Sequence, residues 1–268
     1  MIIDSFMKQG ASHYLCEDYV LTNRDYFPLI ALSDGCSSSM NTDVGARLIT
    51  LSAIESINNA PFVAHWFPKF LDGLTKIYNS YSSILTNGFL DATLIVFRFV
   101  PVKNNFEVSV IGDGNIILVQ GEVTTLYNIK FESNAPKYPA YFIDRESDYN
   151  AQYGEGIVIV TKTVIKNGEA KESIQLKDKA KNLAPFSFIL DVPIDTDTLL
   201  LSTDGIESFS STESGLISVN DIGKELTAFK NYQGEFMKRR AKRMAAEYAR
   251  EGITHSDDIS FGAIRFKD

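Results

Sequence analysis

The sequence predicts a single α+β domain in which antiparallel sheets pack against helices. Apolar segments of strand length outnumber the helical stretches. Helical periodicity is confined to two stretches near the front of the chain and one near the back, instead of alternating one-for-one with strands. No linker, repeat or low-complexity tract divides the 268 residues, so we expect one domain over 1–268.

The front of the chain predicts one strand and two helices. The strand lies within residues 26–35 and ends in an Asp-Gly turn. A cap at Asn41 or Thr42 precedes apolar residues at helical spacing: Val44, Leu48, Leu51 and Ile54. The second helix has a wide apolar face at spacings of three and four: Phe67, Phe70, Leu71, Leu74, Ile77, Tyr78 and Tyr81.

The middle of the chain predicts a series of strands. Residues 106–112 alternate strictly between apolar and polar, and a tight Gly-Asp-Gly turn joins them to the next strand, so we expect a β-hairpin there. The other predicted strands are 92–99, 115–120, 123–127, 156–165 and 198–203. Residues 162–182 are polar and rich in both signs of charge, which predicts a surface excursion.

The back of the chain predicts a helix over 233–250 and a final strand over 259–266. Five of the six residues in "KRRAKR" (238–243) are basic, yet Met237, Ala241 and Met244 recur at helical spacing. We interpret this run as the solvated face of an amphipathic helix, with a basic docking patch as the alternative.

Composition narrows the function. The formal net charge of −8 argues against nucleic acid as the main partner. No segment approaches the ~20 apolar residues needed to cross a bilayer, and the N-terminus does not read as a signal peptide, so we expect a cytoplasmic protein without a membrane partner. Two cysteines, Cys16 and Cys36, are too few for a disulfide framework or a thiolate metal site. We expect both to be reduced.

Aspartates recur where predicted strands end or begin. Asp34, Asp113 and Asp204 each follow apolar strand residues and precede glycine. Asp257 and Asp258 stand just before the last strand. A single Asp-Gly pair usually only closes a turn. Four such positions predict that several carboxylates share a small volume, where divalent cations would neutralise their repulsion.

The ligand types indicate hard cations. Carboxylate oxygens without histidine or thiolate partners favour Mg²⁺ or Mn²⁺. Two such ions can lower the pKa of a water and orient it for attack on phosphorus. The sequence has no Gly-x-x-x-x-Gly-Lys-Ser/Thr loop and no His-Glu-x-x-His, which argues against a nucleotide-dependent transferase and a zinc hydrolase.

The order of these stretches resembles the type 2C family of metal-dependent serine/threonine protein phosphatases. That family runs Arg-x-x-x-Glu-Asp, Asp-Gly-His-Gly-Gly, Gly-Ser-Thr-Ala, Val-Gly-Asp-Ser-Arg, Ser-Asp-Gly and Asp-Asn. The counterparts here span residues 10 to 266: His13 to Asp18, Asp34-Gly35-Cys36-Ser37-Ser38, Asp91-Ala92-Thr93, Ile111-Gly112-Asp113-Gly114-Asn115, Thr203-Asp204-Gly205 and Asp257-Asp258.

The resemblance implies a fold and a set of roles. The fold would be a central antiparallel β-sandwich with helices on both outer faces, in four layers. Asp34 would bridge two Mn²⁺ or Mg²⁺ ions, the Gly35 carbonyl would bind one of them, and Asp204 and Asp257 would bind the other. Asp113 would belong to a third, weaker metal site, and Asp18 would order water in the outer shell. The excursion at 162–182 would be the family's variable flap.

Two positions depart from the family pattern. His13 stands where the family arginine binds the substrate phosphate, and it lacks the guanidinium fork. Cys36 replaces the histidine often assigned as general acid, and a thiol of ordinary pKa is a poor substitute. From the resemblance as a whole, we still expect a monomeric phosphatase acting on phosphoserine or phosphothreonine in proteins. The alternative is a non-catalytic relative that keeps the fold as a regulatory or binding module.

Overall fold

Two antiparallel β-sheets pack face to face, with helices on both outer faces. A computed structural model describes residues 1–24, 27–59, 66–154, 156–166, 169–179, 185–213 and 215–266. The strands are β1 (Ile2–Lys8), β2 (Tyr19–Asn23), β3 (Leu29–Ser33), β4 (Leu94–Val100), β5 (Asn105–Ile111), β6 (Gly114–Gln120), β7 (Val123–Phe131), β8 (Ile157–Lys166), β9 (Glu169–Lys179), β10 (Phe188–Asp191), β11 (Thr198–Ser202), β12 (Phe209–Ser211), β13 (Gly215–Leu216), β14 (Ile253–His255) and β15 (Ile259–Arg265). The α-helices are α1 (Thr42–Asn58), α2 (Phe67–Tyr81), α3 (Glu146–Tyr153), α4 (Val219–Thr227) and α5 (Phe236–Arg250).

The strand order defines the layers. A seven-stranded sheet runs β1-β15-β11-β6-β7-β8-β9, and a five-stranded sheet runs β10-β5-β4-β3-β2. Helices α1 and α2 share an apolar cluster with the five-stranded sheet, and α4 and α5 share one with the seven-stranded sheet. A third cluster fills the space between the sheets. This is the four-layer sandwich expected from the sequence, and the predicted fold class is confirmed.

The leucine run of β11 illustrates why the central strands of the sandwich are uniformly apolar in sequence. Leu199 and Leu201 point into the space between the sheets, whereas Leu200 points outward into the cluster beneath α4 and α5. Because both faces of the strand are covered, alternation between apolar and polar residues disappears. The same holds for β3, whose five residues are all buried.

The prediction of a β-hairpin around Gly112-Asp113-Gly114 is wrong. β5 lies in the five-stranded sheet and β6 in the seven-stranded sheet, so the turn carries the chain from one sheet to the other. Gly112 and Gly114 have φ values of 91° and 137°, which residues with a Cβ rarely adopt. Local turn chemistry is the same for a hairpin and for a crossing, so the sequence could not separate them.

The predicted helices form, but the inward face of α1 differs from the prediction. Its buried positions are largely small residues such as Gly45, Ala46 and Ala53, while Leu51 is 48% exposed. A Cβ on Gly45 would lie 1.6 Å from the carbonyl oxygen of Phe89, so close packing of the helix selects small residues there. The apolar face predicted from larger residues is therefore rotated from the true one.

The α5 helix is amphipathic, as the preferred interpretation of its basic run required. Met237, Ala241 and Met244 are buried. Its N-terminus is anchored by the β1 residue Asp4, whose Oδ2 accepts hydrogen bonds from the backbone N–H of Met237 at 2.7 Å and of Lys238 at 3.2 Å. Such an acceptor satisfies donors that a helix leaves unpaired.

The surface excursion predicted at 162–182 falls largely on two paired strands, and its role as the family's variable flap stays a prediction. β8 and β9 pair in antiparallel register at one edge of the seven-stranded sheet, and the residues after 179 lie outside the described part of the chain. Alternating charges are compatible with an exposed edge strand as well as with a loop. The segment that borders the acidic end of the sandwich is 132–153, between β7 and β8.

Within the described ranges, no helix combines the length and the apolar character required to cross a bilayer.

Candidate metal centre

The pairing of β2 with β3 brings the first two carboxylates together. Tyr19 is paired with Ser33 in antiparallel register. One step further out, Asp18 therefore lies opposite Asp34, and opposed residues of an antiparallel pair project from the same face. Asp18 is 1% exposed, and its Oδ2 accepts a hydrogen bond of 2.8 Å from the Thr203 hydroxyl.

The other sheet contributes Asp113 and Asp204 to the same end of the sandwich. Ser202 at the end of β11 pairs with Asn115 near the start of β6, so the residues just beyond them are neighbours. Gly205 allows this close approach, because a Cβ there would lie 1.7 Å from the carbonyl oxygen of Asp258. Strand ends from both sheets thus meet at one place.

The meeting point is a cavity of about 290 Å³ whose walls are mainly polar. Asp34, Asp113, Asp204 and Asp257, which lie far apart in the sequence, all line it. The remaining lining residues are Gly35, Cys36, Ser37, Ser38, Thr93, Asn134, Pro136 and Tyr138. The structure therefore brings together the five predicted metal-ligand residues, with Asp18 directly behind them.

Two buried oxygens in this cluster lack a hydrogen-bond donor. Among the described residues, none donates to Oδ1 of Asp18 or to Oδ1 of Asp204, although both atoms are buried. A buried acceptor without a partner costs about 1–3 kcal/mol, and more if it is charged. Both orphaned atoms belong to residues that the motif comparison assigned to the metal centre or its outer shell.

Burial and mutual repulsion raise the pKa values of four carboxyl groups, those of Asp18, Asp34, Asp113 and Asp257. Burial is the largest cause at every site, and it raises the pKa of Asp18 to about 8. The pKa of Asp34 rises well above its ordinary range through burial and the nearby Asp18 and Asp204. The pKa values of Asp113 and Asp257 also rise, through burial and then Asp204.

The residues present fit hard divalent cations. Four carboxylates line one cavity, and two buried carboxylate oxygens accept no hydrogen bond from the described residues. The raised pKa of Asp34 shows that the cluster has too little positive charge nearby to offset the negative charge of its carboxylates. Oxygen-rich sites of this kind suit Mg²⁺ or Mn²⁺. Protons are the alternative neutralising species, and they compete with the cation for the same oxygens.

His13 lies next to Asp257, which lines the cavity, and is in contact with three carboxylates. Its Nδ1 is 3.0 Å from Oδ2 of Asp258 and 3.5 Å from Oε2 of Glu17, and its Nε2 is 3.3 Å from Oδ1 of Asp257. Burial lowers the pKa of His13, but Asp258, Asp257 and Glu17 offset this and leave the pKa above its ordinary value. His13 therefore carries more positive charge near neutral pH than an isolated histidine.

Sequence reasoning missed the role of Asp258, which is 2% exposed. Its carboxylate accepts hydrogen bonds of 2.6 Å from both the Gly10 and the Glu17 backbone N–H, besides its contact with His13. Asp258 directly precedes β15 and thus fastens residues 10–17, which lead into Asp18, to the N-terminal end of that strand. In the sequence it looked like the second half of an Asp-Asp pair, and nothing local separates its role from that of Asp257.

The 132–153 segment is the second feature that the sequence did not reveal. Asn134, Pro136 and Tyr138 form part of the cavity wall. Further along, Arg145 forms an ion pair with Asp91, and its Nη1 is 3.3 Å from Oδ2 of that residue. Sγ of Cys36 is 3.0 Å from Oγ of Ser38. The Tyr138 hydroxyl, from the 132–153 segment, lies beside the same thiol.

His255 and Cys16 are structural neighbours of the site. Nδ1 of His255 is 2.9 Å from the Asp257 carbonyl oxygen, and its ring packs against Phe209. Burial lowers the pKa of His255. Burial also raises the pKa of Cys16 to about 12. These contacts give His255 a structural role beside the site.

Comparison with known proteins identifies the fold. No family model and no curated protein sequence matches the chain. Among solved structures, the serine/threonine phosphatase PstP/Ppp of Mycobacterium tuberculosis superposes with a TM-score of 0.57 at 15% identity, covering 100% of both chains. Stp1 of Staphylococcus aureus gives 0.53 at 15% identity, covering 100% of this chain and 96% of the other.

A third similar structure is the phosphatase MsPP of Mycobacterium smegmatis, with a TM-score of 0.53 at 12% identity, covering 99% of this chain and 98% of that one. The protein therefore has the fold of the bacterial type 2C serine/threonine phosphatases over its whole length. The resemblance seen in the sequence motifs is confirmed at the level of the fold.

Proposed function

We propose that the protein is a metal-dependent phosphomonoester hydrolase that acts on phosphoserine or phosphothreonine in proteins. The observation that carries this proposal is the convergence of Asp34, Asp113, Asp204 and Asp257 on one cavity, at the sandwich end where buried acceptors lack donors. The fold shared with serine/threonine phosphatases supports the same reaction class.

In this proposal Asp34, the Gly35 carbonyl, Asp204 and Asp257 hold two Mn²⁺ or Mg²⁺ ions, and Asp113 serves a third, weaker site. When bound, such ions lower the pKa of a water and orient it for in-line attack on phosphorus. No protein nucleophile is required, so no phosphoenzyme forms.

The protein's own residues position this chemistry. Thr203 holds one oxygen of Asp18 and leaves Oδ1 of Asp18 to accept a hydrogen bond from ordered water. His13 carries positive charge 3.3 Å from Asp257, which lines the cavity, and in this proposal it contacts the substrate phosphate. The wall formed by 134–138 limits the approach of the substrate. The cytoplasmic location and the monomeric state stay predictions from the sequence.

The test is hydrolysis of p-nitrophenyl phosphate and of a phosphothreonine peptide, with Mn²⁺, with Mg²⁺ and with EDTA. We expect turnover only with a divalent ion, and its loss in Asp34→Asn. Asp72→Asn is the matched control, because it makes the same chemical change on the exposed face of α2. Equal metal-dependent turnover in Asp34→Asn and the wild type would contradict the assignment.

The substitutions at positions 13 and 36 favour a second candidate, a non-catalytic module that binds partners through the same fold. It predicts that Mn²⁺ raises the thermal stability of the protein while neither substrate is hydrolysed. Retention of Asp18, Asp34, Asp204 and Asp257 supports the enzyme, since a site that had lost its activity would be expected to lose at least one metal carboxylate.

A further inference from the structure

The β2 and β3 segments stay in contact beyond their last paired residues, and a cysteine follows on each. Tyr19 pairs with Ser33, and the Gly35 N–H donates a 3.1 Å hydrogen bond to the Glu17 carbonyl, two steps further out. The next residue outward is Cys16 on one segment and Cys36 on the other. The chain has no other cysteine.

The geometry of this position suits a cross-strand disulfide. The Cys36 N–H donates at 2.8 Å to the Asp91 carbonyl, on the side away from Cys16. A register continued by this one step would make Cys16 and Cys36 a non-hydrogen-bonded pair, in which Cα atoms lie about 4.5 Å apart and side chains share a face. Disulfides accept Cα separations of about 4.4–6.8 Å.

Both thiols are free, partly exposed and close to the acidic cavity. Cys36 lines it, next to Asp34. Sγ of Cys16 is 3.7 Å from the Asp18 carbonyl oxygen, and Sγ of Cys36 is 3.0 Å from Ser38 Oγ. At the Cα separation of such a pair, rotation about the Cα–Cβ bonds would be enough to bring two sulfur atoms into bonding distance.

We propose that Cys16 and Cys36 are a modification site, which forms a reversible intramolecular disulfide at the mouth of the cavity. The oxidant is a small disulfide such as oxidised glutathione. The Cys36 thiolate attacks one sulfur, breaks the glutathione S–S bond and releases one glutathione. Cys16 then attacks the mixed disulfide and releases the second. Two electrons pass from the protein thiols to the oxidant, and their two protons go to the released glutathiones.

The consequence is local to the candidate metal centre. The new bond would tie together the segments that carry Asp18 and Asp34, on the same face as those carboxylates. It would also draw the Cys36 sulfur away from the Tyr138 hydroxyl, which lies beside it in the reduced protein. This inference concerns thiol chemistry alone and does not depend on the proposed phosphatase activity.

The experiment treats the full-length protein with oxidised glutathione, unfolds it, alkylates free thiols with N-ethylmaleimide and measures the intact mass. We expect a mass lower by two hydrogen atoms, no alkylation, no retained glutathione, and a tryptic peptide joining Cys16 to Cys36. Dithiothreitol should restore both thiols.

The variant Cys16→Ser tests the order of the steps, and we expect it to retain one glutathione on Cys36. The proposal is overturned if the wild type keeps both thiols, carries two glutathiones, or forms only intermolecular dimers. Absence of the adduct in Cys16→Ser overturns attack by Cys36. Because each readout is a mass, an inactive protein would leave this result unaffected.

Discussion

Two carboxylates at the same end of the sandwich, the buried Asp258 and the half-buried Asp204, have opposite hydrogen-bonding surroundings. Asp258 accepts two short backbone hydrogen bonds and a contact from His13. Asp204 lines the cavity with Oδ1 buried and without a donor among the described residues. The protein thus provides N–H donors to one carboxylate and leaves an oxygen of the other without a donor among the described residues, and in the proposed function that oxygen would bind a cation. This difference separates a structural aspartate from a candidate ligand better than sequence position does.

The largest expected effect is on turnover. Loss of an outer-shell partner of a metal site typically costs about 10–100-fold, so Asp204→Asn should lower metal-dependent turnover by at least about 100-fold. The fold should survive, because the substitution removes charge from a repulsive cluster. Activity against p-nitrophenyl phosphate and the circular dichroism spectrum measure the two properties. Full activity would place Asp204 with Asp258 as a structural residue.

The next effect is on stability and concerns Asp258. Asp258→Ala leaves the N–H groups of Gly10 and Glu17 without their acceptor, so we expect a loss of about 3 kcal/mol in the free energy of unfolding. Asp258→Asn keeps one acceptor and should lose about 1 kcal/mol. Urea titration without metal measures both, with Asp204→Asn as the comparison. If Asp204→Asn is destabilised as strongly as Asp258→Ala, the distinction between the two carboxylates fails.

The pH dependence of stability tests the same contrast for the whole cluster. Burial raises the pKa of Asp18 from 3.8 to about 8 and also raises that of Asp34. The folded state therefore binds more protons than the unfolded state across this interval, so without metal the free energy of unfolding falls as the pH rises through it. Mn²⁺ should raise the melting temperature more near the upper end of the interval than near pH 5. An equal shift at both would show that the ion binds elsewhere.

The smallest effect is expected at His13. His13→Ala removes a partly exposed cation, and we expect KM for a phosphomonoester to rise about threefold to tenfold, which is about 1 kcal/mol. His13→Arg should lower KM, because a guanidinium binds phosphate in a bidentate manner. Steady-state kinetics separate the outcomes: a fall in kcat at constant KM would contradict a role in substrate binding.

Most of the fold was predictable because strands covered on both faces are continuously apolar and long helices keep their period. The errors have physical causes. Gly112-Asp113-Gly114 permits a hairpin and a sheet crossing equally, and the choice depends on which sheet β6 joins. The inward face of α1 is set by the carbonyl of Phe89 pressing against Gly45, a contact that no local pattern encodes.

The site divides in the same way. The chain alone specifies carboxylates at strand ends and the order of six motifs, because both follow from residue type and spacing. Only the packing of the two sheets decides which carboxylates meet, which receive N–H donors and which keep a bare oxygen, since each of these depends on contacts between residues up to 248 positions apart. Asp257 and Asp258 are adjacent and chemically identical, yet the first faces the cavity and the second is enclosed by backbone donors.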